Sequence, residues 1–178
     1  MSQTRQIRPE RPEDAQAIAA LNQACFGPGR FAKSAYRLRE GVEPENALGF
    51  VAGEGGMLLG SVRFWPILVG GECALLLGPL AVQSQLRGRG IGIALMKAGI
   101  ETAKSSDFAA ILLVGDEPYY ARAGFARLPP GRVRFPGPVD AARVLGLSLK
   151  PNALLTLAGE IRRARIDHPI CADGAALG

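Results

Sequence analysis

The sequence predicts an α/β protein built on a mixed, mostly antiparallel sheet with one strand–helix–strand crossover. Two Gly-Gly pairs, at 55–56 and 70–71, separate three extended runs and predict an antiparallel meander. The third run, 73–82, is almost wholly apolar and leads through a glycine-rich turn into an apolar-periodic segment, 90–104. A short apolar strand follows. This order predicts a parallel, right-handed crossover beside the meander.

The other elements are predicted from apolar periodicity and from helix and turn signals. The expected helices cover residues 12–26, 31–40 and 90–104, with a helical turn inside 115–125. The expected strands cover residues 4–8, 48–54, 57–69, 73–82, 108–114 and 144–149. Residues 152–165 are expected to be helical or irregular. We expect a single domain over 1–166 and a loose tail over 167–178.

Gly78 and Pro79 interrupt the third strand of the meander. Proline cannot donate a hydrogen bond to a ladder, so the pair predicts either a bulge or a kink at the sheet edge. A bulge would splay this strand from its neighbour and open a gap in the sheet, whereas an edge kink would carry no function. The sequence does not decide between the two.

Composition excludes several classes of protein. The chain of 178 residues is 48% hydrophobic and 21% charged, with a net charge of +5 spread along the chain, which suits an anionic ligand and argues against nucleic acid. No apolar run approaches the ~20 residues of a membrane span, and the N-terminus lacks a signal-peptide core, so a cytoplasmic location is expected. Cys25, Cys73 and Cys171 lack CxxC spacing and are expected to be inert thiols.

The turn Arg87–Gly92 is the strongest functional signal. A glycine turn that opens a helix exposes backbone N–H groups, and the helix dipole adds about half a positive charge. Together with Arg87 and Arg89, this predicts a site for a phosphorylated ligand. The P-loop and Rossmann patterns do not fit, because no Lys-Ser or Lys-Thr pair follows Gly92 and the glycine spacing is G-x-G-x-G. A turn that merely allows close packing is the structural alternative.

Three segments, in order, resemble the motifs of the GCN5-related N-acetyltransferase (GNAT) family. Residues 87–92 read R-x-x-G-x-G, as in its acetyl-CoA signature, and Leu80–Val82 resemble the strand that precedes it. Tyr120 to Phe125 resemble its YxxxGF element. Within the family, the sequence is most similar to the YhbS-like subgroup. The resemblance implies the GNAT fold, with a splayed strand pair, and the transfer of an acetyl group from acetyl-CoA.

The resemblance also implies which residues hold the acyl donor. The pyrophosphate of coenzyme A would lie on the amides of the turn, and the pantetheine would lie along the main chain of the strand before it. The implied cofactor-binding residues are Leu80, Ala81, Val82, Arg87, Gly88, Arg89, Gly90, Ile91, Gly92 and Ile93. No metal is expected, because no His/Cys/Asp cluster occurs and His168 is the only histidine.

Tyr120 matches the tyrosine that the family uses as a general acid. Its phenol, with an ordinary pKa of ~10, is protonated at neutral pH and can donate to the thiolate of coenzyme A. Packing alone, or a hydrogen bond to the sulfur, is the alternative role, and Tyr119 is expected to be structural. No general base is assigned, because Leu76 stands where many members have a glutamate. Asp116 and Glu117 fit a solvated turn.

The sequence therefore predicts an N-acetyltransferase that acts on a primary amine of a small molecule or a protein. The alternative is a non-catalytic acyl-CoA-binding sensor or interaction domain that kept the cofactor pocket. The acceptor, the length of the acyl group and the choice between monomer and homodimer stay open. Arg122, Arg127, Arg132 and Arg134 could meet the cofactor's 3′-phosphate or an acidic substrate, although a solvated face is the simpler explanation.

Overall fold

The helices and strands follow the periodicity of the sequence closely. The computed structural model describes residues 5–29 and 34–164. Its helices are α1 (Ala15–Phe26), α2 (Ser34–Arg37), α3 (Ile91–Ala103), α4 (Glu117–Tyr120) and α5 (Ala153–Thr156). Its strands are β1 (Gln6–Pro9), β2 (Phe50–Glu54), β3 (Met57–Val69), β4 (Glu72–Val82), β5 (Ala110–Val114), β6 (Ala126–Arg127), β7 (Val133–Arg134), β8 (Val144–Ser148) and β9 (Gly159–Arg163).

The strands form one open, mixed sheet in the order β1-β2-β3-β4-β5-β8-β6. Its main ladders are antiparallel, and β4 and β5 form the parallel pair that the crossover through α3 predicts. The predicted fold class is confirmed. The meander turns at Gly55-Gly56 and Gly70-Gly71 where the sequence places them, and these four glycines have positive φ.

A bulge interrupts β4 at Gly78 and Pro79. Val62 pairs with Leu80 and Phe64 with Leu77, so one residue of β3 faces two residues of β4. The sequence left a bulge and an edge kink equally open, and the structure shows the bulge. On its other edge, β4 pairs with β5 only through Leu75–Leu76, and its remaining residues up to Val82 diverge from β5. The sheet therefore opens between β4 and β5.

Apolar side chains cover both faces of the sheet. One buried cluster joins the sheet to α3 through Ile91, Leu95, Met96 and Ile100. The second cluster lies on the opposite face and includes Leu38, Leu76, Leu112, Leu157 and Ile161. Because successive strand residues point to opposite faces, Leu75 and Leu76 belong to different clusters.

Two expectations of the sequence are corrected by the structure. β8 is not the last strand, because residues 159–163 form β9, which pairs antiparallel with β3 and parallel with β7. Cys73 is disulfide-bonded rather than an inert thiol, and Cys25 is a free thiol. β9 leaves no local pattern, because it depends on pairing with β3 and β7, of which β3 is distant in the sequence. The expected tail, 167–178, lies outside the described residues, and the domain boundary at 166 stays a prediction.

Candidate functional site

The glycine turn presents the start of α3 to the opening between β4 and β5. Gly90 precedes the helix in the left-handed region, with φ 78°, and no side chain caps the first turn. The first helical hydrogen bond runs from the Ala94 N–H to the Gly90 oxygen, at 3.0 Å. The N–H groups of the first turn therefore have no acceptor within the helix and can bind an anion.

A cavity of about 400 Å³ lies over this turn and is called the glycine-turn cavity here. Its lining residues are Cys25, Phe26, Leu80, Ala81, Val82, Leu86, Arg87, Gly88, Gly90, Ile91, Gly92, Ile93, Tyr119, Tyr120 and Arg122. The structure thus brings together nine of the ten residues predicted to bind the cofactor. Arg89 is not among the lining residues. The binding role of all ten remains a prediction.

Two features of the lining were not predicted from the sequence. Phe26, at the end of α1, covers the cavity, and the thiol of Cys25 donates a hydrogen bond to the Val82 oxygen at 3.4 Å. The hydroxyl of Tyr119 occupies the space that a side chain at residue 92 would need, so the first turn of α3 requires glycine there. Tyr119 therefore lies at the cavity as well as serving as a packing residue. No local pattern marks these contacts.

A second cavity, of about 380 Å³, lies beyond the bulge of β4 and is called the arginine cavity here. Its lining residues are Phe26, Ser34, Ala35, Tyr36, Arg39, Leu77, Gly78, Pro79, Leu80, Val114, Tyr120, Pro138, Val139, Asp140 and Arg143. Phe26, Leu80 and Tyr120 line both cavities. These three residues therefore mark the place where the cavities meet.

Tyr120 is fixed at this junction by its neighbours. Its ring lies against Gly115, where a side chain would collide with it, and packs edge-on against Phe125 with centroids 6.1 Å apart. Gly124 ends the turn with φ 97°, which glycine adopts without strain. The backbone reverses direction there, and Phe125 is buried. The residues of the YxxxGF element thus hold one phenol at the meeting point of two cavities.

Burial raises the pKa of Tyr120 to about 12. Tyr119 and Asp116 raise this pKa further, and Arg143 and Arg39 oppose the shift because nearby cations favour the phenolate. Tyr120 is therefore a neutral hydrogen-bond donor throughout the physiological range. The ring of Tyr119 stands 88° to it with centroids 5.1 Å apart, and burial also raises the pKa of Tyr119.

The acidic residues near Tyr120 are engaged elsewhere. Glu117 forms a 2.5 Å ion pair with Arg127, and Asp116 lies 3.3 Å from the Nε of Arg143. Leu76, at the position where a family glutamate is expected, is wholly buried in the second apolar cluster. Asp140 is the acidic residue among those that line the arginine cavity, and one of its oxygens accepts a hydrogen bond from the Ala142 N–H at 2.9 Å.

The four arginines near the YxxxGF element have different surroundings in the structure. Arg122 lines the glycine-turn cavity, whereas Arg127 pairs with Glu117. Arg132 donates hydrogen bonds to the backbone oxygen of Leu155, at 2.5 Å, and to that of Leu154. Arg134 is exposed on β7. Of the four, Arg122 is therefore the one placed to meet a phosphate in the glycine-turn cavity.

Within residues 5–29 and 34–164, no helix combines the length and apolar character that a membrane crossing requires. Across the same residues, no three His, Cys, Asp or Glu side chains gather as a set of metal ligands.

Comparisons with known proteins agree on the family. The family model described as Acetyltransferase (GNAT) family matches residues 15–126. The uncharacterized N-acetyltransferase YhbS of Escherichia coli K12 is 36% identical over 143 residues, which cover 78% of this chain and 84% of YhbS. The region that the family model matches, residues 15–126, contains the glycine turn and Tyr120.

Solved structures show the same fold. A GNAT family N-acetyltransferase (YhbS) from E. coli in complex with CoA superposes with a TM-score of 0.74 and 31% identity, covering 92% of each chain. A GNAT family acetyltransferase from Brucella melitensis in complex with acetyl-CoA gives a TM-score of 0.67 and 27% identity, covering 91% of this chain and 97% of that one. The sequence match, the fold and the splayed sheet together show that this chain belongs to the GNAT acetyltransferase family.

Proposed function

We propose that this chain transfers the acetyl group of acetyl-CoA to a primary amine by direct attack of the amine on the thioester. One observation carries the proposal: Tyr120 lines both the cavity over the glycine turn and the cavity beyond the bulge. A transferase of this type needs a donor site and an acceptor site that share one point, where the reaction takes place. Relatives crystallised with CoA and acetyl-CoA support the same donor for this chain.

The residues of the glycine-turn cavity fit a diphosphate that carries an extended chain, as in coenzyme A. The uncapped first turn of α3 offers backbone donors, and Arg87 and Arg122 add positive charge around the same cavity. The edge of β4 that faces away from β3 is unpaired with β5 beyond Leu76, so Leu80–Val82 leave main-chain groups available to an extended ligand. Bound acetyl-CoA would supply an activated thioester.

The chemistry requires two proton movements. The ammonium gives one proton to water and attacks as the neutral amine. Its nitrogen forms a C–N bond to the acetyl carbon and releases a second proton to water, while the C–S bond breaks and leaves coenzyme A as the thiolate. We propose that Tyr120 donates its phenolic hydrogen bond to that sulfur. A phenol with a pKa of about 12 is a weaker acid than a thiol of pKa ~8.5. The tyrosine therefore stabilises the thiolate by a hydrogen bond, and the proton stays on the phenol oxygen.

Substitution of Tyr120 tests this role directly. We expect Tyr120→Phe to lower kcat about 10- to 100-fold, the value of one hydrogen bond to a developing charge, with little change in the Kd for acetyl-CoA. Tyr119→Phe is the matched control, because Tyr119 lines only the glycine-turn cavity, and it should keep kcat within about threefold. Thiol release from acetyl-CoA across an amine panel measures both variants.

The proposal fails if the wild type binds acetyl-CoA and releases no thiol with any amine of the panel, which would favour the non-catalytic sensor. Equal kcat values for the wild type and Tyr120→Phe would remove the role assigned to the phenol.

Ultraviolet titration near 295 nm checks the electrostatic basis of that role. Because the pKa of Tyr120 is about 12, the absorbance difference between wild type and Tyr120→Phe should develop mainly above pH 11. The folded state then holds a proton that the unfolded state loses near pH ~10, so this group's contribution to stability is lost as the pH rises from about 10 to 12. A difference centred near pH 10 would show that the phenol is solvated.

Substitution of the two arginines of the turn distinguishes a direct contact with acetyl-CoA from a general attraction by positive charge. Arg87 lines the glycine-turn cavity and Arg89 does not, although a single residue separates them. Arg87→Gln should weaken acetyl-CoA binding about tenfold or more, the value of a charge-assisted hydrogen bond, and Arg89→Gln should weaken it less. Calorimetric titration with acetyl-CoA provides the comparison. Equal losses in both variants would indicate only a diffuse electrostatic attraction.

A further inference from the structure

Arg39 presents a guanidinium to the arginine cavity from the turn that follows α2. Its Cζ lies 5.2 Å from the ring centroid of Tyr36 and 5.8 Å from that of Trp65. Trp65 is itself held in place, because its Nε1–H donates a hydrogen bond to the Gly78 oxygen at 2.6 Å. The two rings therefore position the cation beside the bulge of β4.

Within the described part of the chain, this guanidinium has no anionic partner. Among residues 5–29 and 34–164, no carboxylate forms an ion pair with Arg39, and its buried Nε makes no hydrogen bond. Burial lowers the pKa of Arg39 to about 10. A largely desolvated cation without a counter-ion costs free energy, and an anion in the cavity would offset that cost.

The bulge brings the cation to the point where the sheet opens. A side chain at Gly78 would place its Cβ 2.8 Å from the Arg39 Nη2, so the absence of a side chain there gives the guanidinium its position. The opposite wall is fixed by a hydrogen bond from the Ser34 hydroxyl to the Pro138 oxygen, at 2.9 Å. Arg39 thus lies in a formed cavity that also contains Tyr120.

The remaining charges of the cavity restrict which anion fits. Arg143 is paired with Asp116, and Asp140 adds one negative charge to the lining. A dianionic phosphate would meet one unpaired cation and the repulsion of Asp140, whereas an amino acid would pair its one carboxylate with Arg39 and carry an amino end that Asp140 does not repel. Phe26, Leu77, Pro79 and Val139 supply an apolar wall for the body of such a ligand.

We propose that the arginine cavity binds amino acids, with Arg39 holding the carboxylate and the amino group directed to Tyr120 as the acyl acceptor. The proposal rests on the proposed function and names the substrate class of that same site. The planar guanidinium matches a carboxylate through paired hydrogen bonds, which a lysine in the same place could not reproduce. A cavity of about 380 Å³ accommodates a small amino acid and its side chain.

The test compares free amino acids with their methyl esters, which keep the amine and lose the negative charge. The panel contains alanine, leucine, phenylalanine and β-alanine, each as the acid and as the ester, and thiol release from acetyl-CoA gives kcat/KM. We expect at least one free acid to exceed its ester about tenfold or more. Arg39→Gln should lower the value for that acid about 10- to 100-fold and change the value for its ester by less than about threefold.

Arg37→Gln is the matched control, because Arg37 is an exposed arginine in α2 that does not line the cavity, and it should preserve the preference for the acid. Arg39→Lys should recover only part of the preference. Calorimetry with acetyl-CoA shows that each variant keeps a folded donor site. Esters that match their acids in the wild type, or a preference that survives Arg39→Gln, would overturn the proposal.

Equilibrium binding separates this inference from the proposed function. If no amine of the panel is acetylated, titration of the CoA-loaded protein with the same acids and esters still tests the cavity. Acids that bind through Arg39 without turnover would refute acetyl transfer and retain the carboxylate site. Turnover of acids and esters at equal rates would retain acetyl transfer and refute the carboxylate site.

Discussion

The divergence of β4 from β5 is the constraint on which the rest of the molecule depends. The two strands pair only through Leu75–Leu76 and 111–112, and the bulge at Gly78-Pro79 turns the remainder of β4 away. A closed ladder would satisfy the backbone of β4 but would leave no opening in the sheet. Because both cavities border the diverging segment, the same irregularity creates space on the side of α3 and on the side of α2.

The two cavities have different physical character, and this difference matches the roles that we propose for them: one binds the acyl donor and the other binds the acceptor. The glycine-turn cavity offers the helix N-terminus and exposed arginines, which suit a charged and solvated diphosphate. The arginine cavity offers one desolvated guanidinium among apolar walls, which suits a small ligand with a single matching charge. Tyr120 faces both, and its burial keeps the phenol neutral, so that it can donate a hydrogen bond as charge develops on sulfur.

Local patterns predicted the meander and the glycine turn well and the lining of the arginine cavity poorly. Strand β3 begins and ends where the glycine pairs place it, and the turn at 87–92 precedes a helix as its composition requires. Arg39 carried no such signal, because a helical segment with several basic residues does not show which one lies over the Trp65 ring. Asp140 and β9 likewise acquire their places through packing between segments distant in the sequence.

A crystal structure of the acetyl-CoA complex would show directly whether the diverging strands form the donor site. We expect the diphosphate on the first-turn amides of α3, the pantetheine beside Leu80–Val82, and the thioester sulfur within hydrogen-bonding reach of the Tyr120 hydroxyl. The acetyl group should then point toward the arginine cavity. A cofactor bound outside the opening between β4 and β5, or a sulfur remote from Tyr120, would refute the proposed acetyl transfer at this site.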